Sequence, residues 1–231
     1  MRAPAFVRTL FGVLLLALAP ALGEAQQIPS PYQFVETNQE AAVYGGVTQI
    51  NSGRFGFGPE SAQTLGGRYS INISGPLAFE AEAALLQGTR RVIDPSRDEG
   101  QRDLGEADVL LSSVEGRFTL TLTGDRTWNG FAPFVTAGGG IVFDLGDSEP
   151  LDEQVLPNDR FDFGSSFLGS LGTGTRFYLS DTWVLRGDAR FTLFQIDTPP
   201  GFSDADRPFQ GVEESEWVNG GLFTLSLGYR F

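Results

Sequence analysis

The chain has 231 residues, no Cys and no His, and its 16 basic residues, all Arg, stand against 29 acidic ones for a net charge of −13. Those numbers exclude a disulfide framework, thiolate and most zinc sites and any His-based triad or dyad, and the acidic balance disfavours a nucleic-acid partner. With 30 Gly, 20 Phe and a single Met, the composition suits one large β-domain, either a membrane barrel or an extracellular sandwich.

Arg2 and Arg8 accompany the start of a nearly all-apolar run over residues 10–21, and small residues follow at Gly23 and Ala25. That order of basic, apolar and small residues predicts a secretory signal peptide over 1–25, cleaved after Ala25. The apolar run is too short to span a bilayer comfortably. Cleavage leaves 14 Arg against 28 acids, and no later stretch reads as a membrane helix. A mature chain that crosses a membrane must then do so as a closed barrel, because lipid offers no partner to open backbone groups. Residues 26–38, with two Pro and no period, read as a periplasmic lead-in, and 39–231 as the barrel domain.

Eight strands follow from period-two alternation. The first, about 40–50, leaves its faces open: Ala42/Tyr44/Gly46 or Val43/Gly45/Val47. The second, 61–73, sets Leu65, Tyr69, Ile71 and Ile73 against Arg68, Ser70 and Asn72, and Ser74-Gly75-Pro76 turns tightly into the third. The third, 77–92, alternates Leu77, Phe79, Ala81, Ala83 and Leu85 with Glu80, Glu82, Ala84 and Leu86; this alternation outweighs its helix-like composition. The fourth, 106–122, opposes Val114, Phe118 and Leu120 to Glu115 and Arg117. The fifth, 131–145, carries Val135, Ile141 and Phe143 against Phe134, Thr136 and Val142. The sixth, 161–179, carries Phe167, Leu171 and Phe177 against Leu168 and Arg176. The seventh, 183–195, carries Leu185, Phe191 and Leu193 against Arg186, Asp188 and Arg190. The last, 217–231, carries Phe223, Leu225, Leu227, Tyr229 and Phe231 against Thr224, Ser226 and Arg230.

The connections alternate long and short, as extracellular loops and periplasmic turns do in an outer-membrane barrel. The polar faces mix both charge signs with Gly and Ser, which suits a narrow interior better than a solvated surface. An interior ion network of Arg68, Glu80, Glu82, Glu115, Arg117, Arg176, Arg186, Asp188, Arg190 and Arg230 is therefore expected, because a buried charge must be paired. A symmetric turn at 74–76 places Arg68 opposite Glu82. Aromatic girdles are expected from Phe79, Trp128, Phe177, Trp183, Tyr229 and Phe231 at the turn end, and from Tyr44, Phe143, Phe161, Phe163 and Trp217 at the loop end.

The segments F-A-P-F-V-T-A-G-G-G-I-V-F (131–143), G-T-G-T-R-F-Y-L-S-D-T-W-V-L-R-G-D-A-R-F (172–191) and L-S-L-G-Y-R-F (225–231) resemble the fifth strand, the sixth and seventh strands, and the closing strand of the OmpA/OmpX-like eight-stranded outer-membrane β-barrel family. The resemblance implies an all-β, eight-stranded antiparallel up-and-down transmembrane barrel in the outer membrane. It also implies contact with outer-membrane lipid and lipopolysaccharide, and recognition of Phe231 and Tyr229 by the barrel-assembly machinery. No peptidoglycan-binding segment is expected after the barrel. The function expected is structural or surface interaction through acidic loops around a charge-filled, closed interior. An OmpW-like small channel is the alternative, which a charged interior disfavours, and a lipid-modifying enzyme is disfavoured because its catalytic His is missing. No catalytic residue, cofactor or metal is assigned. The acidic clusters Asp147, Glu149, Asp152, Glu153 and Asp204, Asp206, Glu213, Glu214, Glu216 read as solvated loops without an EF-hand pattern. The Gly138–Gly140 run lies mid-strand and is no phosphate loop.

Overall fold

Alternating side chains become staves. The structure, a computed structural model, describes residues 30–35, 39–146 and 149–231. The expected signal peptide, the rest of the lead-in and Asp147 lie outside the described residues. Among the described residues ten strands run in chain order: β1 Tyr32–Phe34, β2 Gln39–Ile50, β3 Pro59–Ser74, β4 Leu77–Ile93, β5 Asp103–Thr121, β6 Arg126–Trp128, β7 Phe131–Asp144, β8 Ser165–Tyr178, β9 Trp183–Asp197 and β10 Ser215–Arg230. All pairings are antiparallel. Around the ring the order is β2, β3, β4, β5, β7, β8, β9, β10, and back to β2. The closing seam runs from Arg230↔Glu40 to Gly220↔Ile50. The result is a closed eight-stranded barrel, so no long stave keeps an open edge.

Turn chemistry fixes the short end. Gly75 takes φ of +50° between β3 and β4, a conformation that costs glycine nothing. Asn129 and Gly130 both take positive φ, +50° and +82°, between β6 and β7, the signature of a type I′ hairpin. Three expectations change. The segment 123–130, expected as a turn carrying an aromatic, contains β6, and the lead-in contains β1, which pairs with it through Tyr32↔Trp128 and Phe34↔Arg126. The sixth stave begins at Ser165 and not near 161, because Phe161 and Phe163 leave the barrel wall and fold inward.

The faces resolve as lipid-facing and lumen-facing. Val43, Leu65, Leu85, Phe118, Phe167 and Leu225 are exposed on the outside, while Tyr44, Arg68, Glu80, Glu82, Arg117, Arg186 and Arg190 are buried inside. Such a continuous apolar exterior is untenable in water and natural in lipid. Among the described residues no helix is long and apolar enough to cross a membrane. Aromatic pairs ring the turn end: Phe131 with Phe177 at 4.7 Å, Trp183 with Tyr229 at 5.3 Å, and Tyr229 with Phe231 at 6.3 Å between centroids. The loop-end girdle is smaller than expected. Trp217 does face outward, but Tyr44 points into the lumen and Phe163 belongs to a buried core. Those two rings satisfy the interior, where the alternative is empty volume.

Candidate functional site

The lumen has two storeys. In the half nearer the turns, five guanidiniums (Arg68, Arg117, Arg176, Arg186, Arg190) meet five carboxylates (Glu40, Glu80, Glu82, Glu115, Asp188). Glu80, fully shielded from solvent, takes Arg186 Nη1 at 2.5 Å, Arg176 Nη2 at 2.8 Å and Arg117 Nη2 at 3.3 Å. Glu82 takes Arg117 at 2.5 Å, Arg190 at 2.8 Å and Arg68 at 3.6 Å, and accepts the Tyr44 hydroxyl at 2.7 Å. Glu115 faces Arg190 at 3.3 Å and accepts from the Ser170 hydroxyl. Asp188 takes Arg186 at 2.6 Å and Arg68 at 3.4 Å. Arg176 approaches Glu40 at 4.0 Å.

The positions follow from strand geometry. Arg68 stands opposite Glu82, and Glu80 opposite Arg117, in the ladders of β4 with its two neighbours. The decisive pairs are not neighbours. β4 and β9 lie on opposite sides of the eight-strand ring, so Arg186–Glu80 and Arg190–Glu82 each cross the lumen. Room for these long side chains comes from glycine. A β-carbon at Gly138 would sit 2.3 Å from Arg117 Cγ, and one at Gly172 would sit 2.6 Å from Arg190 Cγ. Phe134 is the network's apolar floor, with the guanidiniums of Arg186 and Arg176 at 4.1 and 5.1 Å from its ring centroid. Such contacts hold a cation where water is excluded.

Arg230 lies at the turn end. Its Nη1 donates to the Asp181 carbonyl at 2.9 Å, and its guanidinium lies over the Tyr178 ring. Phe231 and Tyr229 are exposed on the outer face, and the Phe231 amide donates to the Gln39 carbonyl at the seam. Reading the strands one at a time missed Glu40, Tyr44 and Phe134 as members of the charged storey. Glu40 reaches Arg176 only after closure, and the first strand offered two equally apolar faces. Phe134 was visible on the polar face of its strand, as an aromatic among Thr and Gly.

The upper storey corrects the expectation of a charge-filled interior. There the inward positions turn apolar: Val109, Leu111, Val142, Leu168, Phe194 and Val218 form one buried core with Phe57, Phe163 and Phe202 from the loops. Phe55, Phe161 and Phe209 pack on it. Phe202 lies 5.0 Å from Phe55 and 5.7 Å from Phe209, and Phe57 lies 4.8 Å from Phe161. Loop residues carry no periodicity, so no pattern in the chain foretold this plug. Between plug and network remains a small cavity bordered by Tyr44, Glu82, Glu115, Arg190, Leu111 and Phe194. About 40 Å³ of it is open to the centre of a water molecule, enough for about three waters.

Buried loop carboxylates hold the plug's surroundings. Asp152 pairs with Arg90 at 2.5 Å, and Asp159 with Arg207 at 2.9 Å. Two of the expected solvated acids therefore have structural duties: Asp152 is buried, and Glu216 accepts the Arg54 amide. Burial pushes the Asp159 carboxyl above its ordinary value against the pull of Arg207, and Asp94, Asp204 and Asp206 push the same way. Asp94 moves oppositely: burial would raise it, but hydrogen bonds from Ser96 and Arg97 outweigh that and hold it low. Among the described residues no three acidic side chains are grouped to hold a metal ion.

A closed ring of eight staves with an apolar exterior and a paired, charged interior leaves one class of protein, and the comparisons agree. A model of the outer membrane protein beta-barrel domain matches residues 11–231. The chain belongs to that family. Its fold is shared with OprG of Pseudomonas aeruginosa, at 14% identity and a TM-score of 0.54 over 85% of this chain and 98% of that one. Neisserial surface protein A is similar at 12% identity and a TM-score of 0.52, over 87% and 98% of the two chains. A search of curated proteins returns no match. As a member of this family, the protein is an integral β-barrel of the outer membrane.

Proposed function

We propose that the protein is a closed barrel with a structural or surface-interaction role, displaying acidic loops around a sealed mouth and performing no catalysis. The observation that carries this reading is the pair of full-diameter bridges, Arg186–Glu80 and Arg190–Glu82, below a plug of loop phenylalanines. Breaking such pairs singly leaves a buried charge uncompensated, so the network resists opening for a passing solute. Export follows from the 1–25 signal peptide. Assembly follows from recognition of Tyr229 and Phe231, which stand exposed beside the closing seam. Lipid and lipopolysaccharide surround the apolar exterior.

Planar-bilayer recording tests the reading. The folded protein is expected to give no discrete conductance steps, and steady openings at neutral pH would overturn it. One observation favours a second reading, a small passive channel: the upper lumen is apolar and holds a cavity. A solute entering from the loop end would then have to leave through the wall, since the charged storey blocks the floor.

A further inference from the structure

Three loops meet on the plug and leave a groove of about 360 Å³ there, bordered by Arg54, Phe55, Ile93, Arg102, Asp103 and Phe209. Phe55 and Phe209 meet edge-on at 5.1 Å between centroids, and both pack on Phe202 of the plug. A guanidinium caps each ring: Arg54 lies 5.1 Å from the Phe55 centroid, and Arg102 lies 4.7 Å from that of Phe209. Arg90, Arg91, Arg97 and Arg207, also at the loop end, each hold a carboxylate. Among the described residues no carboxylate comes within ion-pair distance of Arg54 or Arg102. Arg54 is steadied by the Gly211 and Gln210 carbonyls at 2.9 and 3.1 Å, and Arg102 by the Arg97 carbonyl, which takes only its Nε. Both Nη atoms of Arg102 are thus left for another acceptor. Asp103, the acid on the rim, is occupied by Arg91 Nη1 at 3.1 Å and by the Gly105 amide at 3.0 Å.

We propose that this groove binds a small organic anion, a carboxylate carried on a flat apolar body. The two guanidiniums recognise the head, because a planar fork of N–H donors matches a carboxylate and gains most where no acid of the protein already occupies it. Phe55, Phe209 and Ile93 receive the body, aromatic faces being the surfaces on which a flat ring packs. The volume is that of a small-molecule pocket, which runs from about 300 to 1,000 Å³. Charge sets the ligand's size. In a chain of net charge −13, two arginines without acids are a local exception, and the same loops carry Asp98, Glu99, Glu213 and Glu214, all exposed. An extended polyanion would run from the groove into those acids and be repelled, whereas a compact anion meets only the arginines. The site deepens the surface-interaction reading and rests on it only in taking the loop end as the outward one.

The test uses the full chain folded in phosphatidylcholine nanodiscs, with folding verified by the mobility shift of unheated samples. Trifluoromethylbenzoate is the probe, and its binding is read by fluorine NMR line broadening after subtraction of empty discs. The uncharged trifluoromethylbenzamide is expected to bind about tenfold more weakly, the loss of a charge-assisted pair. Inorganic phosphate, charged but without an apolar body, is expected to displace the probe only at about tenfold higher concentration. Arg102→Gln is expected to weaken the probe about fivefold, the upper value for an exposed pair, and adding Arg54→Gln to weaken it further. Arg160→Gln is the control: that guanidinium donates to the Val155 and Glu153 carbonyls away from the groove, and its loss is expected to leave binding unchanged. Equal binding of the benzamide, equally strong displacement by phosphate, or parental affinity in the folded double variant would overturn the proposal. Steady conductance would overturn the closed-barrel reading and leave this site standing, whereas no probe binding to a folded, non-conducting barrel would overturn this site alone.

Discussion

Replacing Glu80 by alanine tests whether the charged storey holds the barrel together. Glu80 accepts four hydrogen bonds, two from Arg186 and one each from Arg117 and Arg176. Bonds to charged groups contribute about 1.5–3 kcal/mol each, so the gross loss is on the order of 6–12 kcal/mol. Much of it is recovered, because Arg186 keeps Asp188, Arg117 keeps Glu82, and Arg176 keeps the Thr121 hydroxyl and Glu40. The remaining cost is that of one uncompensated buried positive charge, about 3–5 kcal/mol. Urea unfolding in vesicles, followed by tryptophan emission and gel mobility, measures it. The paired variant Glu80→Met with Arg176→Met restores charge balance with apolar volume and is expected to cost less than Glu80→Ala alone. A loss below about 1 kcal/mol in the single variant, the size of a solvated pair, would refute a buried network.

Gly140→Ala is expected to impair folding, since its β-carbon would meet the Val114 carbonyl oxygen at 2.0 Å; overpacking of this kind costs about 1–3 kcal/mol or more, read as lost heat-modifiable protein. Phe202→Ala removes a ring buried in the plug and is expected to cost about 3–5 kcal/mol in the loop-end core, with faster amide exchange at residues 201–204 and an unchanged charged storey. The two loop acids respond to pH in opposite directions. Asp159, raised by burial, binds its proton more tightly folded than unfolded, so the packing around it tightens as pH falls from neutral through its raised value. Asp94, held low, stabilises its turn above the ordinary aspartate range and loses that contribution only as pH falls through its depressed value. Protection factors should therefore rise at the Asp204 amide, which bonds Gly201, before they fall at Ser96 and Arg97. The reverse order would contradict the assignment.

The sequence by itself determined what repeats. Period two in 61–73 or 183–195 marks a stave because successive side chains must point to opposite faces, and the turn at Gly75 brings Arg68 to the level of Glu82, the two being set directly opposite by a one-residue register shift between Asn72 and Ser74. The number of long staves, the inner and outer faces of all but the first, and the membrane class follow from such local rules. What depends on closure could not be read. Glu40 meets Arg176, and Glu80 meets Arg186, only because the ring brings distant strands within reach, and the direction of Tyr44 is set by the cavity it fills, since both faces of its strand were apolar. The phenylalanines of the loops are the extreme case. Nothing in the order of Phe55, Phe57, Phe161, Phe163, Phe202 and Phe209 distinguishes solvent from core; the apolar upper lumen does, because burying those rings there removes both surfaces from water at once.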